Sequence, residues 1–152
     1  MRMETSVVVN RPIEEVWAFG TDPFNFPRAG RGFLGLRQTS PGPMALGSTL
    51  QGRVRFLGLE RRIEVTVTRW EPPHAGELAI SGNILGIRSM SLRARLEATT
   101  DGTRMTRVTE FEPRPILKPL WRILVLYWRM RVAKETNREI KRLLEAEQTS
   151  ES

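Results

Sequence analysis

A hydrolytic or acyl-transfer site needs a nucleophile beside a base, and His74 is the only imidazole in the chain. It sits in Pro72-Pro73-His74-Ala75-Gly76, a run with the composition of an exposed turn. With no cysteine, thiol catalysis, disulfides and thiolate metal sites are excluded. One histidine and no cysteine leave no ligand set for zinc or iron, so no metal, cofactor or catalytic residue is assigned. Gly30, Gly32 and Gly35 have the GxGxxG spacing, but they precede a strand rather than open a helix, and they predict no phosphate loop.

The polar residues with most chemical scope are Arg107 and Thr109. Met105, Arg107, Thr109 and Phe111 share one face of a strand by period-two alternation, and Arg104, Thr106, Val108 and Glu110 share the other. If the Met105/Phe111 face is inward, Arg107 is buried and must be paired or hold something negative. It would then grip a carboxylate or phosphate, or polarise a carbonyl. If Val108 is inward, Arg107 is solvated. Alternation alone permits both, and Arg88, in phase with Met90 and Leu92, is equally open.

Net charge is +7, from 24 basic and 17 acidic residues, and only Lys118, Lys134 and Lys141 among the basic ones are lysines. Such a balance attracts phosphate in general. No helix-turn-helix, zinc finger or aromatic-basic strand motif accompanies it, so no specific nucleic-acid partner is assigned. The N-terminus has no apolar signal-like core, and the apolar stretch Leu120 to Trp128, broken by Arg122, is far shorter than a bilayer span. These features predict a cytoplasmic protein.

The elements that must position these residues follow from periodicity. Met3 to Val9 reads as a strand; Asn10-Arg11-Pro12 opens a helix, with Asn10 as cap candidate, Ile13, Val16 and Trp17 as its apolar face and Gly20 as its end. Asp22 to Pro27 reads as a short helix or turn. Strands follow at Phe33–Thr39, Thr49–Phe56, Arg61–Trp70, Glu77–Ser81, Ile87–Ala98 and Thr103–Glu112, joined by turns such as Asp101-Gly102. Consecutive alternating strands with short turns predict an antiparallel sheet with one buried face. Pro115 to Glu147 then reads as one long helix.

Strand, helix, antiparallel strands and a long terminal helix is the order of the helix-grip fold. The local motifs agree with it: Arg11-Pro-Ile-Glu-Glu-Val-Trp17, Asp22-Pro-Phe-Asn-Phe26, Gly47-Ser-Thr-Leu50, the strand from Ile63 ending in Trp70-Glu-Pro-Pro73, Asp101-Gly-Thr-Arg-Met-Thr106, Phe111-Glu-Pro113 and Glu139-Ile-Lys-Arg-Leu-Leu-Glu145. Over essentially the whole length the chain resembles the START/Bet v 1-like (SRPBCC) superfamily, in particular its polyketide cyclase/dehydrase and lipid-transport branch. The resemblance implies an α+β domain at 1–147, with a curved antiparallel β-sheet wrapped around a long C-terminal α-helix, and a polar tail at 148–152. It also implies a cavity between sheet and helix for an apolar ligand.

Inward-facing Leu50, Val54, Phe56, Ile63, Val65, Val67, Leu78, Ile80, Met90, Leu92 and Met105, with Arg107, Thr109 and Phe111, would form its sheet wall. Extrapolating the helical period back from Leu144 gives a stripe of Ile140, Asn137, Ala133, Met130, Leu126 and Ile123, so that Ile123, Leu126 and Met130 are expected over the cavity. Leu117, Trp121, Leu124 and Trp128 then fall on the opposite side, near Lys118, Arg122, Arg129 and Arg131. Three readings of that patch stand open: a homodimer interface, a peripheral membrane contact, or an irregular helix that turns these residues back onto the sheet. Binding of an apolar, lipid-like molecule is the leading functional expectation. The alternatives are a polyketide cyclase/aromatase-type enzyme using Arg107 and Thr109, and an interaction module working through the tryptophan patch.

Overall fold

The computed structural model describes residues 1–25, 33–84 and 86–151. Gly30, Gly32, Phe26 and Pro27, which figured in the sequence motifs, lie outside the described residues. Strands β1 (Arg2–Val9), β2 (Phe33–Gln38), β3 (Thr49–Phe56), β4 (Leu59–Glu71), β5 (Ala75–Ile84), β6 (Ile87–Thr99) and β7 (Gly102–Phe111) form one seven-stranded sheet in the order β1-β7-β6-β5-β4-β3-β2. Every pairing is antiparallel. The chain therefore meanders from β2 to β7, and β1 closes the edge beside β7. Alternation is cleanest in β4, where Ile63, Val65 and Val67 are buried and their neighbours exposed. Gly102 (φ 137°) makes the β6–β7 turn, and a Cβ there would come within 2.1 Å of the Val9 carbonyl oxygen, so β1 runs directly over the turn.

Helix α1 (Ile13–Thr21) follows β1, and a 3-10 turn (Pro23–Asn25) follows it. Pro12, not Asn10, is the residue at the helix start, and no side chain caps it. Its carbonyl accepts hydrogen bonds from the N–H groups of Glu15 and Val16. The helix passes Gly20 and ends at Thr21. The C-terminal segment is continuous but not uniform: a 3-10 turn (Pro115–Leu117), helix α2 (Lys118–Tyr127), a π turn (Trp128–Val132) and helix α3 (Ala133–Glu151), which runs on past the expected start of the polar tail.

The core has three parts. Val9, Val16, Phe19, Leu96, Met105, Ile140 and Leu144 join α1 and α3 to the sheet. Leu50, Val54, Ile63, Val65, Val67 and Ile80 cluster on β3–β5. Ile87, Phe111 and Trp121 pack α2 against the far end of the sheet. Arg11 ties the first part together: its Nε donates to the Leu144 carbonyl at 2.9 Å, while Thr103 Oγ1 donates to the Arg11 carbonyl at 2.8 Å.

The π turn overturns part of the sequence reading. The stripe holds in α3, where Ile140 and Leu144 are buried and Asn137 faces β7. It fails in α2 and the π turn: Ile123, Leu126 and Met130 are 67%, 58% and 64% exposed, and Trp121 is 6% exposed. A π turn inserts about one extra residue, rotating everything before it by roughly 100° relative to a regular helix. The curved sheet then meets α2 with Phe56 and Phe111 rather than with β1. Phe56 stacks on Trp121 at 5.4 Å between ring centroids, and Phe111 meets it edge-on at 5.1 Å. Leu117 and Leu124 pack beside them. Of the three readings of the tryptophan patch, the geometry is that of residues turned back onto the sheet.

Candidate functional site

A cavity of about 310 Å³ lies between the concave face of the sheet, α1 and α3. Its position follows from side-chain size along the rows that cross the sheet. One row pairs Met3, Thr109, Leu92, Leu78 and Val67 across five strands. The next pairs Thr5, Arg107, Ala94, Gly76 and Trp70. Beside Arg107 the second row carries a methyl group and then only a hydrogen, so the concave face is hollow there. Trp70 closes the far end of the row, meeting Trp17 of α1 edge-on at 5.0 Å. A Cβ on Gly76 would lie 3.5 Å from the Trp17 ring, so the glycine lets that ring come down onto β5.

The lining is apolar except at a few points. Leu50, Val67, Leu78, Ile80, Met90, Leu92 and Met105 contribute from the sheet, Val16, Trp17 and Phe19 from α1, and Trp128, Ile140 and Leu144 from the C-terminal helices. Arg107 and Thr109 also line it, so the Met105/Phe111 face of β7 is the inward one. The Arg107 Nη2 donates to Asn137 Oδ1 at 2.9 Å, whereas its Nε is buried without a partner. No carboxylate pairs with it in the described residues. Burial pushes its pKa below the ordinary arginine value, because the charged form loses its water. Arg107 is thus a half-buried cation, held by an amide rather than a carboxylate, beside apolar space.

The remaining sequence-derived site residues are placed differently. Val54, Ile63 and Val65 face the same way but fill the core beyond the cavity. Phe56 and Phe111 are spent on Trp121. Ile123, Leu126 and Met130 point to solvent and do not line the cavity, for the helical reason given above. Arg88 is exposed: a register shift between Ser81 and Ile84 separates the buried Ile87 from the phase of Met90 and Leu92. His74 is exposed in its turn.

Sequence reasoning did not assign Trp17, Phe19, Trp70 or Trp128 to the cavity. The apolar face of α1 was a usable signal for Trp17; nothing local marked Trp70 or Trp128. Glu77 borders the cavity, but its carboxylate lies 3.5 Å from the exposed Arg93. No group of three His, Cys, Asp or Glu side chains among the described residues is placed to hold a metal ion. No helix among them is long and apolar enough to cross a membrane.

Comparison with known proteins agrees with this geometry. A family described as polyketide cyclase / dehydrase and lipid transport matches residues 1–145. No curated protein sequence matches the chain. Among solved structures, the Zhui aromatase/cyclase from Streptomyces sp. R1128 superposes with a TM-score of 0.74 at 13% identity, over 95% of this chain and 93% of that one. Ara h 8.0201 gives 0.69 at 12% identity, over 96% and 98%. The di-domain ARO/CYC StfQ from the steffimycin biosynthetic pathway gives 0.74 at 12% identity, over 99% of this chain and 52% of that one. At these identities the likeness is one of fold.

Proposed function

The chain belongs to the polyketide cyclase / dehydrase and lipid transport family, and from that premise we propose that it binds an apolar, lipid-like small molecule bearing one acidic or carbonyl head group. The apolar body occupies the cavity between the sheet and the C-terminal helices, and the head group is set against Arg107. One observation carries the reading: Arg107 lines an apolar hollow and no carboxylate pairs with it among the described residues. A buried cation without a carboxylate is costly, and a ligand oxygen would satisfy it. A cytoplasmic carrier or sequestering protein is the setting in which we read it.

A second reading, cyclisation of a polyketide chain, is favoured by Thr109 lying two residues from Arg107 on the same inward face. Arg107 would polarise a carbonyl oxygen and Thr109 would orient the chain. It is the weaker of the two. Carbon–carbon bond formation needs a base, and the carboxylate bordering the cavity, Glu77, is directed to Arg93.

Native mass spectrometry of protein purified without detergent tests binding, together with the cavity-filling variant Ala94→Phe. A co-purifying apolar mass that is lost in the variant is the expected result. A folded wild-type protein that comes through without adduct, and takes up neither a fatty acid nor its ester on incubation, overturns the reading. Turnover of a polyketide substrate that survives in Arg107→Met would remove the cyclase alternative.

A further inference from the structure

Rotation of α2 by the π turn buries one apolar face and leaves another outside. Ile116, Leu120, Ile123, Tyr127 and Met130 recur at alternating intervals of four and three residues: Leu120, Ile123 and Tyr127 share one side of α2, with Ile116 in the 3-10 turn before it and Met130 in the π turn after it. All five are exposed, Ile116 by 86%. With Leu126 they account for six of the ten exposed large hydrophobic side chains among the described residues. The β3–β4 turn brings exposed Leu57 and Leu59 to the same end of the molecule, because Phe56 beside them stacks on Trp121. Scattered surface leucines need no explanation, but a continuous stripe does.

Along the segment that carries the stripe every charged residue is basic. Between Arg114 and Arg131 there are five basic residues and no acidic one. Lys118 is engaged by Glu112 at 3.1 Å, and Arg114, Arg122, Arg129 and Arg131 are exposed. A two-fold interface between two copies would set this basic rim against itself, which costs rather than stabilises. An anionic bilayer suits both features: aliphatic side chains enter the acyl boundary, Tyr127 sits at headgroup depth, and the arginines lie among lipid phosphates.

We infer that the outer face of α2, with the π turn, is a peripheral docking surface for anionic membrane. This is independent of what fills the cavity. It does put Trp128, which lines the cavity, in the same turn as Met130, which would touch the lipid.

The test is flotation of the full chain with phosphatidylcholine vesicles, with and without about 30 mol % phosphatidylglycerol. Binding to the anionic vesicles at least about tenfold above the neutral ones, falling steeply between about 0.1 and 0.5 M salt, is expected. Ile123→Ser/Met130→Ser and Arg122→Glu/Arg129→Glu should each reduce it about tenfold or more with an unchanged Tm, since all four side chains are exposed. Failure of the wild-type chain to float with anionic vesicles overturns the proposal. So does flotation unaffected by both double variants. Dimers dissolved by Ile123→Ser/Met130→Ser without vesicle binding would assign the face to a second copy, and retention on heparin without vesicle binding to a soluble polyanion; either also overturns it.

Discussion

Arg107→Met separates what this residue does for folding from what it does for binding. The guanidinium donates a hydrogen bond to Asn137 at 2.9 Å, and its Nε is unsatisfied. Removing it forfeits a charged hydrogen bond of about 1.5–3 kcal/mol. It also relieves a desolvation cost of about the same size, less than that of a fully buried ion because Arg107 is half-buried. Methionine keeps most of the apolar stem, so the variant should be at least as stable as wild type, by up to about 1 kcal/mol. For a domain of this size that is a rise in Tm of about 2–4 °C per kcal/mol.

The sign of the pH dependence follows from the direction of the shift. Burial lowers the folded-state pKa, so the cost of the charge is present at every pH below that value and fades only as pH climbs past it toward the ordinary arginine range. The gain from Arg107→Met should therefore be fully present at low and neutral pH and shrink only as pH climbs through the lowered pKa. Binding moves the other way. Displacement assays with cis-parinaric acid and its methyl ester should show the acid weakened about tenfold to a hundredfold and the ester much less. A variant less stable than wild type, or equal weakening of acid and ester, refutes the assignment.

Trp121→Ala should cost about 3–5 kcal/mol in urea unfolding, because it removes the ring on which Phe56 and Phe111 converge; a loss under about 1 kcal/mol would mean that α2 is not held there. Glu112 is held below the usual carboxylate range first by its hydrogen bond and charge contact with Lys118, then by the charge of the N-terminus. Its contribution is present above the ordinary glutamate pKa and lost as pH falls through the lowered value. Glu112→Gln should therefore reduce stability slightly at neutral pH and converge with wild type at strongly acid pH. Parallel stability curves down to that limit would count against the pairing.

The sheet was readable because its code is short. A period of two fixes which residues share a face, and in β4 the buried positions Ile63, Val65 and Val67 are all aliphatic. The order of elements was enough to identify the helix-grip fold. Facing was harder where one residue of slippage matters. For β7 the alternation was plain but both faces were mixed, and only pairing with β1 and β6 on a curved sheet decided that Arg107 is inside. For Arg88 the phase was broken by an irregularity in β5, on the neighbouring strand.

The terminal helix shows the same limit over a longer distance. Its α3 half obeys the period read backward from Leu144, and its α2 half does not, because nothing in Trp128-Arg-Met-Arg-Val132 announces a π turn by composition. One inserted residue exchanged the faces: Trp121 went inward, and Ile123 and Met130 went out. The hollow beside Arg107 was hidden for a related reason. Ala94 and Gly76 are unremarkable in their own strands and become a cavity only when the register sets them in one row with an arginine. The site is thus a property of rows across strands and of phase along a helix. That is why periodicity within one element gives the face a residue shares and not the space between rows.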